Sequence, residues 1–323
     1  MSVTMAQALN TALHDAMTAD DRVICYGEDV GMLGGVFRIT DRLQERFGPQ
    51  RCFDSPLAES GIVGTAIGMA MYGFRPVVEM QFDGFTYPAF DQIVSHLAKM
   101  RNRSRGTVTL PVVVRIPYGG GIGAVEHHSE SPESYFAHTA GLHVVTPATP
   151  GDAYGMLRRA LTGADPVIFF EPKRRYWASE ELDLPHESAP FGQAEVRRQG
   201  SLATLISYGP TVATCLDAAH AAAEDGWDLE VVDLRSLVPL DTERVVESVR
   251  RTGRAIVVHE AQVFSGFGAE LAAQITEEAF YHLEAPVLRV GGFDIPYPPA
   301  QLEHYHLPGT DRILDAVERS LAY

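Results

Sequence analysis

The chain has 323 residues, enough for about two domains at the usual ~150 residues apiece. Hydrophobic residues at 46% and charged residues at 21% are the balance of an ordinary globular protein, which excludes a disordered or low-complexity chain. The net charge of −16 is scattered without a block; a surface of that sign repels phosphate backbones and anionic lipid, so nucleic-acid and membrane-surface roles are disfavoured.

Thr4–Ala19 carries Met5, Leu9, Leu13 and Met17 at helical spacing, with Thr4 as its cap. No signal-type or Arg-rich stretch precedes it and no apolar run reaches bilayer length, which predicts a cytoplasmic protein. Arg22–Tyr26 is a short β-type run, Cys52–Pro56 another, and a helix starts near Glu59. Pro76–Gln81 is a strand, and Pro88 opens a helix presenting Phe90, Ile93, Val94, Leu97 and Met100 on one face. Pro111–Ile116 is an almost wholly apolar strand that runs into a glycine-rich loop. His143–Thr146 is a strand, Thr149 caps a helix through Ala160, and Pro166–Phe170 closes the series. Continuous Val/Ile runs separated by helices predict a parallel sheet covered on both faces.

Trp177–Val196 has acids, prolines and no period, so it reads as an interdomain linker. A second α/β series follows, with strands Ala203–Ser207, Leu229–Leu234, Ala255–His259 and Pro286–Val290. Its helices are Thr211–Asp225, Asp241–Arg251, Gly268–Phe280 and Asp311–Leu321. The fold class is therefore α/β, two parallel-sheet domains, divided as 1–182, a linker 183–198, and 199–323. The three cysteines, Cys25, Cys52 and Cys215, show no paired spacing and read as small buried apolar groups in a reducing compartment.

Three segments could carry chemistry. The helix after Glu59 contains Gly61, Gly64 and Gly68, each costing up to about 1 kcal/mol relative to alanine, which suggests a backbone packed closely against it. Glu59 itself is either an acid stabilising a helix N-terminus or a partly desolvated carboxyl group able to share a proton with a ligand ring nitrogen. Phe85 and Tyr87 lie in the loop FDGFTYP, as core or as a stacking surface for a planar ligand. The loop YGGGIGAVEHHSESP follows a strand end, where parallel sheets bind ligands, but its glycines do not form a dinucleotide fingerprint. Its His127 and His128, if extended, point opposite ways and make a poor metal chelate; one of them could do proton work. His138 and the His259–Glu260 pair have structural readings. No GxxxxGK[ST], no GxSxG and no Gly-Asp-Gly with a following asparagine is present, so no motif grips a diphosphate through magnesium.

The strings DSPLAESGIVG, QFDGFTYPAFDQI, RIPYGGGIG, HHSESPE, HVVTPATPGDA and DPVIFFEPKRRYW resemble the beta subunit of thiamine-diphosphate-dependent 2-oxo acid dehydrogenases. GFGAELAAQITEEAF and APVLRVGGFDIPYP carry the resemblance on to the end of the chain. It implies a transketolase-like pyrimidine-binding domain followed by a transketolase C-terminal-type domain. It also implies two alpha and two beta chains, with magnesium and diphosphate gripped by alpha, and docking to the subunit-binding domain of a lipoyl acyltransferase. In the resemblance Glu59 contacts the aminopyrimidine beside Leu57, Phe85 stacks on that ring, and His128 exchanges protons around the substrate carbonyl and lipoyl. It further implies a potassium site on the backbone carbonyls of Val112, Ala160, Leu161 and Gly163 and on Asp165, where some relatives have an asparagine. Branched-chain 2-oxo acids stand ahead of pyruvate, with acetoin third. A non-catalytic docking scaffold is the competing class, and a nicotinamide dehydrogenase is disfavoured by the missing fingerprint.

Overall fold

Residues 2–187 and 189–323 are described by the structure, a computed structural model. They fall into two units, Met1–Tyr118 with Tyr135–Pro190, and Gly119–Ser134 with Phe191–Tyr323. The glycine-rich loop thus groups with the second unit, although in sequence it interrupts the first.

In the first unit the strands are β1 (Val23–Gly27), β2 (Cys52–Asp54), β3 (Arg75–Glu79), β4 (Val113–Tyr118), β5 (His143–Val145) and β6 (Val167–Pro172). They pair in the order β5-β6-β4-β3-β1-β2, all parallel. β1, β4 and β6 are buried along their whole length, as continuous apolar runs require of strands covered on both faces. Helix α1 (Met5–Ala19) begins at a Thr4–Gln7 capping box and packs on α3 (Pro150–Thr162), while α2 (Glu59–Met71) packs on β3. Cys25 and Cys52 face each other across β1 and β2, and all three cysteines are buried and free.

Two expectations need correction here. The helix predicted from Pro88 is built instead around a π-helical segment, Gln92–Leu97, closed by the Ala98 N–H bonding to the Ile93 carbonyl at 3.0 Å. The wider turn shifts the phase of the following residues, so Met100 is only half-buried while Ile93, Leu97 and Ala98 are buried. The segment read as linker is partly built into sheets. Ser179–Glu181 pairs antiparallel with Ser2–Thr4, and Glu195–Arg198 (β7) is the edge strand of the second sheet. Its charges are ion-paired, Arg197 Nη2 lying 3.0 Å from buried Asp233, which is why polarity there did not mean a free linker.

The second sheet adds β8 (Ala203–Ser207), β9 (Leu229–Asp233), β10 (Ala255–Gln262) and β11 (Leu288–Gly292), in the order β11-β10-β8-β9-β7. Only β7 runs antiparallel. Helices α4 (Thr211–Glu224), α5 (Thr242–Thr252), α6 (Phe267–Ala279) and α7 (Thr310–Leu321) accompany it. Its core gathers Leu205, Val231, Ile256 and Val258 against Cys215, Ala219, Ile313 and Val317. No described helix is long and apolar enough to cross a membrane.

Candidate active site

Glu59 is the first residue of α2, preceded by an Ala58 that supplies no side-chain cap. It is only 6% exposed, yet no group among the described residues hydrogen-bonds its carboxylate. An acid suits a helix start in itself, but a mostly buried side chain whose carboxylate has no internal partner also leaves that group available to an external one. Beside it stands Glu28, the residue after β1, whose Oε1 is buried without a partner. Burial, then the charges of Glu59 and Asp29, push the Glu28 carboxyl above the usual carboxylate range. Sequence reasoning passed over Glu28; its one signal was an acid at the carboxyl end of a parallel strand. Leu57, in the same connection, is 79% exposed and free to meet a ligand.

Phe85 lies in the 3₁₀ turn Asp83–Thr86, half-buried and edge-on to Phe82 at 6.3 Å between ring centres. The turn is pinned from below. Lys173 Nζ lies 2.6 Å from Asp83 Oδ1, both side chains wholly buried, and 5.7 Å from the centre of the Phe82 ring. Next to it Arg115 donates to Glu171 through Nε (2.6 Å) and Nη2 (2.9 Å) and to Glu79 through Nη1 (2.7 Å). Tyr176 completes that cluster by donating its hydroxyl to Glu171 at 2.7 Å. Charges taken out of water are tolerable only with such complete pairing. The carboxyl end of this sheet is therefore rigid underneath and unpaired at Glu59 and Glu28 on top.

In the second unit, Glu126–His128 form a 3₁₀ turn rather than an extended pair. The two histidine rings therefore touch, 4.3 Å apart and tilted by 67°, instead of pointing opposite ways. His128 is half-buried, with Nδ1 3.0 Å from the His127 carbonyl, and His127 is exposed. Upstream in the same loop, the Gly120 N–H donates to Glu260 Oε2 (3.0 Å), and the N–H groups of Gly121 and Gly123 donate to Glu303 (2.6 and 3.1 Å). Gly120 admits no side chain, since a Cβ there would lie 1.8 Å from the Tyr297 hydroxyl oxygen. At the far end Tyr208 donates to Glu133 at 2.7 Å. Beneath lies His259, fully buried, its Nδ1 3.0 Å from the Ala261 carbonyl and its Nε2 without a partner. Burial lowers its pKa to about 4. His259 is thus structural and neutral, and His138 is exposed.

Among the described residues, the glycines of α2 meet little that would explain them. An added Cβ at Gly68 meets nothing within 4 Å, at Gly61 only Ala58 at 3.6 Å, and at Gly64 the Gln92 amide at 3.4 Å. The residues expected to bind potassium do not fit that ion as they are arranged. The Leu161 carbonyl accepts Arg75 Nε at 2.9 Å, and the Gly163 carbonyl accepts Arg75 Nη2. The Val112 and Ala160 carbonyls accept the N–H groups of Val167 (2.9 Å) and Gly163 (3.3 Å), and the Asp165 carboxylate is ion-paired with Arg101. A guanidinium already supplies the positive charge there, and a second cation beside it would be repelled.

The family model of the transketolase pyrimidine-binding domain matches residues 1–177, and that of the transketolase C-terminal domain matches 192–313. The chain is 59% identical over 321 residues to the 3-methyl-2-oxobutanoate dehydrogenase subunit beta of Mycobacterium tuberculosis, covering 99% of this chain and 92% of that one. It is 57% identical over 322 residues to the pyruvate dehydrogenase E1 component subunit beta of Leifsonia xyli (100% and 96% covered). Against the 2-oxoisovalerate dehydrogenase subunit beta of Pseudomonas aeruginosa it is 45% identical over 335 residues (98% and 95%). Among solved structures, a split-gene transketolase described as an inactive beta4 tetramer superimposes with a TM-score of 0.82 over 99% of this chain and 98% of that one. At 24% identity it speaks for the fold alone.

Proposed function

This chain belongs to the family of transketolase-like beta subunits of 2-oxo acid dehydrogenases, and we propose that, with an alpha subunit, it oxidatively decarboxylates branched-chain 2-oxo acids and passes the acyl group to lipoyl on an acyltransferase. The single observation that carries its catalytic part is Glu59, a residue only 6% exposed whose carboxylate accepts no hydrogen bond from the described residues and so stays open to an outside partner. When bound, thiamine diphosphate supplies a ring that takes up the electrons released by decarboxylation. Glu59 would hold or give a proton at the aminopyrimidine ring nitrogen, and the bound cofactor would supply the base and the acidic carbon. Glu28, whose carboxyl burial and the neighbouring acids push above the usual range, stands beside Glu59 as a second proton-holding group. Phe85 offers its ring face, held in place by the Lys173–Asp83 pair. His128, half-exposed on its loop, moves protons at the substrate carbonyl and the lipoyl sulfur. Magnesium and the diphosphate fall to alpha, since this sequence lacks Gly-Asp-Gly with a following asparagine. The open glycine face of α2 suits close approach by a partner chain, and the charge of −16 suits electrostatic steering of a basic subunit-binding domain. Pyruvate is the second reading, favoured by the near-equal identity to a pyruvate dehydrogenase beta subunit.

The test is exchange of the thiazolium proton with deuterium in the assembled protein, wild type against Glu59→Gln. The amide keeps the size of the side chain but cannot transfer the proton, so exchange should slow by about 10² to 10⁴. Cofactor affinity should change far less. Equal exchange rates would reduce Glu59 to a helix-start acid and the chain to a docking scaffold.

A further inference from the structure

The loop that carries His128 is held by two acids far away in sequence, and the manner of holding is specific. The Gly119 N–H bonds to the Glu130 carbonyl at 2.9 Å, which closes the neck of a compact loop. Within it, the His128 N–H bonds to the Val125 carbonyl (3.0 Å) and Ser129 Oγ to the same carbonyl (3.1 Å), so the histidine turn is rigid in itself. The other limb of the loop is held from outside it. There Glu303 accepts the Gly121 N–H and the Tyr297 hydroxyl on Oε1 (2.6 and 2.7 Å) and the Gly123 N–H on Oε2 (3.1 Å). Three donors converge on one carboxylate that is only 8% exposed, and two of them belong to the loop backbone. Glu303 opens a four-residue helical turn, Glu303–His306, and is no member of the hydrophobic core beneath the second sheet. Its bonds go to the loop and to Tyr297, not to the sheet.

Building on the proposed role of His128, we infer that Glu303 is a positioning residue that sets the placement of His128 through the Gly121–Gly123 backbone, with Tyr297 orienting the carboxylate. Only a carboxylate serves this arrangement. Glutamine would turn an NH₂ group toward at least one of three donors, and one bond would become a donor–donor clash. Displacing a reacting group by about 1 Å costs on the order of a hundredfold in rate.

The experiment is a double-mutant cycle in the assembled protein, with turnover of the 2-oxo acid read against a lipoyl-bearing acceptor domain. Glu303→Gln should lower kcat roughly ten- to a hundredfold, leaving KM for the 2-oxo acid and cofactor binding unchanged. In a His128→Ala background the same substitution should cost nothing further. Tyr297→Phe, which removes one hydroxyl and leaves the loop contacts intact, should give a smaller loss that also disappears in that background. It decides the matter if Glu303→Gln does not assemble. An undiminished kcat in both Glu303→Gln and Tyr297→Phe would overturn the inference. So would equal fold-losses with and without His128, when His128→Ala alone is impaired. Normal turnover by His128→Ala alone would overturn the role of His128 itself and this inference with it.

Discussion

Acidification should destabilise the second unit through one residue. His259 lies against Gly266 and Gly268, where an added Cβ would come within 2.8 and 2.5 Å of its ring, and it stacks on Tyr208 with ring centres 6.1 Å apart. A proton on Nε2 would create a buried donor with nothing to accept it, which is why burial lowers the pKa to about 4 from an ordinary 6.5. Between those values the unfolded chain binds a proton that the native one refuses, so stability falls as the pH drops through the interval. Fully developed, the difference is worth roughly 3 kcal/mol; from about pH 7 to about pH 5 it amounts to about 2 kcal/mol. For a domain of this size that lowers the unfolding midpoint by roughly 5–8 °C. His306, in the same unit and with its pKa also lowered by burial, adds a loss of the same sign. The diagnostic quantity is therefore the difference between wild type and His259→Gln, measured by calorimetric or circular-dichroism melts across the interval. The glutamine variant should start less stable and lose less on acidification. Parallel pH profiles for the two proteins would refute the reasoning.

Lys173→Met should cost about 3 to 5 kcal/mol, because it leaves Asp83 charged and buried without its cation. Adding Asp83→Asn should restore much of that loss, as denaturant midpoints of the single and double variants will tell; additive losses would contradict it. The chain on its own should not bind thiamine diphosphate with magnesium at micromolar concentrations, and calorimetry on the purified chain checks this directly.

The strands and most helices were legible because each carries its own period and its own stop signals: Thr4 and Gln7 cap one helix, Asp241 another, and the Val/Ile runs mark the parallel strands. Glu59 and the His128 loop were legible as residues in a telling neighbourhood. What holds them was not. Gly121 and Glu303 stand 182 residues apart, and Lys173 and Asp83 stand 90 apart. A local window contains no trace of such pairings, since an acid at a surface turn and an acid that receives a loop look alike until the chain has closed. The π-helical turn escaped for a related reason: its apolar spacing is compatible with an ordinary helix, and only the Ala98–Ile93 bond distinguishes them. The occupation of the Leu161 and Gly163 carbonyls by the Arg75 guanidinium was likewise not legible, since Arg75 lies far away in sequence, on β3.

The Arg115 cluster has one more consequence, for how the first sheet finds its alignment. β3, β4 and β6 are hydrophobic on both faces, so sliding one past another by a residue exchanges valine for valine and isoleucine for phenylalanine at little loss. Nothing in the apolar pattern forbids the slip. Glu79 lies opposite Arg115 in the observed alignment, and Glu171 reaches the same guanidinium from the other neighbouring strand. A shift of one position turns the arginine to the opposite face of the sheet and leaves three buried charges uncompensated. The ion cluster therefore acts as an indexing pin: greasy strands supply adhesion without direction, and a single arginine between two acids tells three of them where to stop.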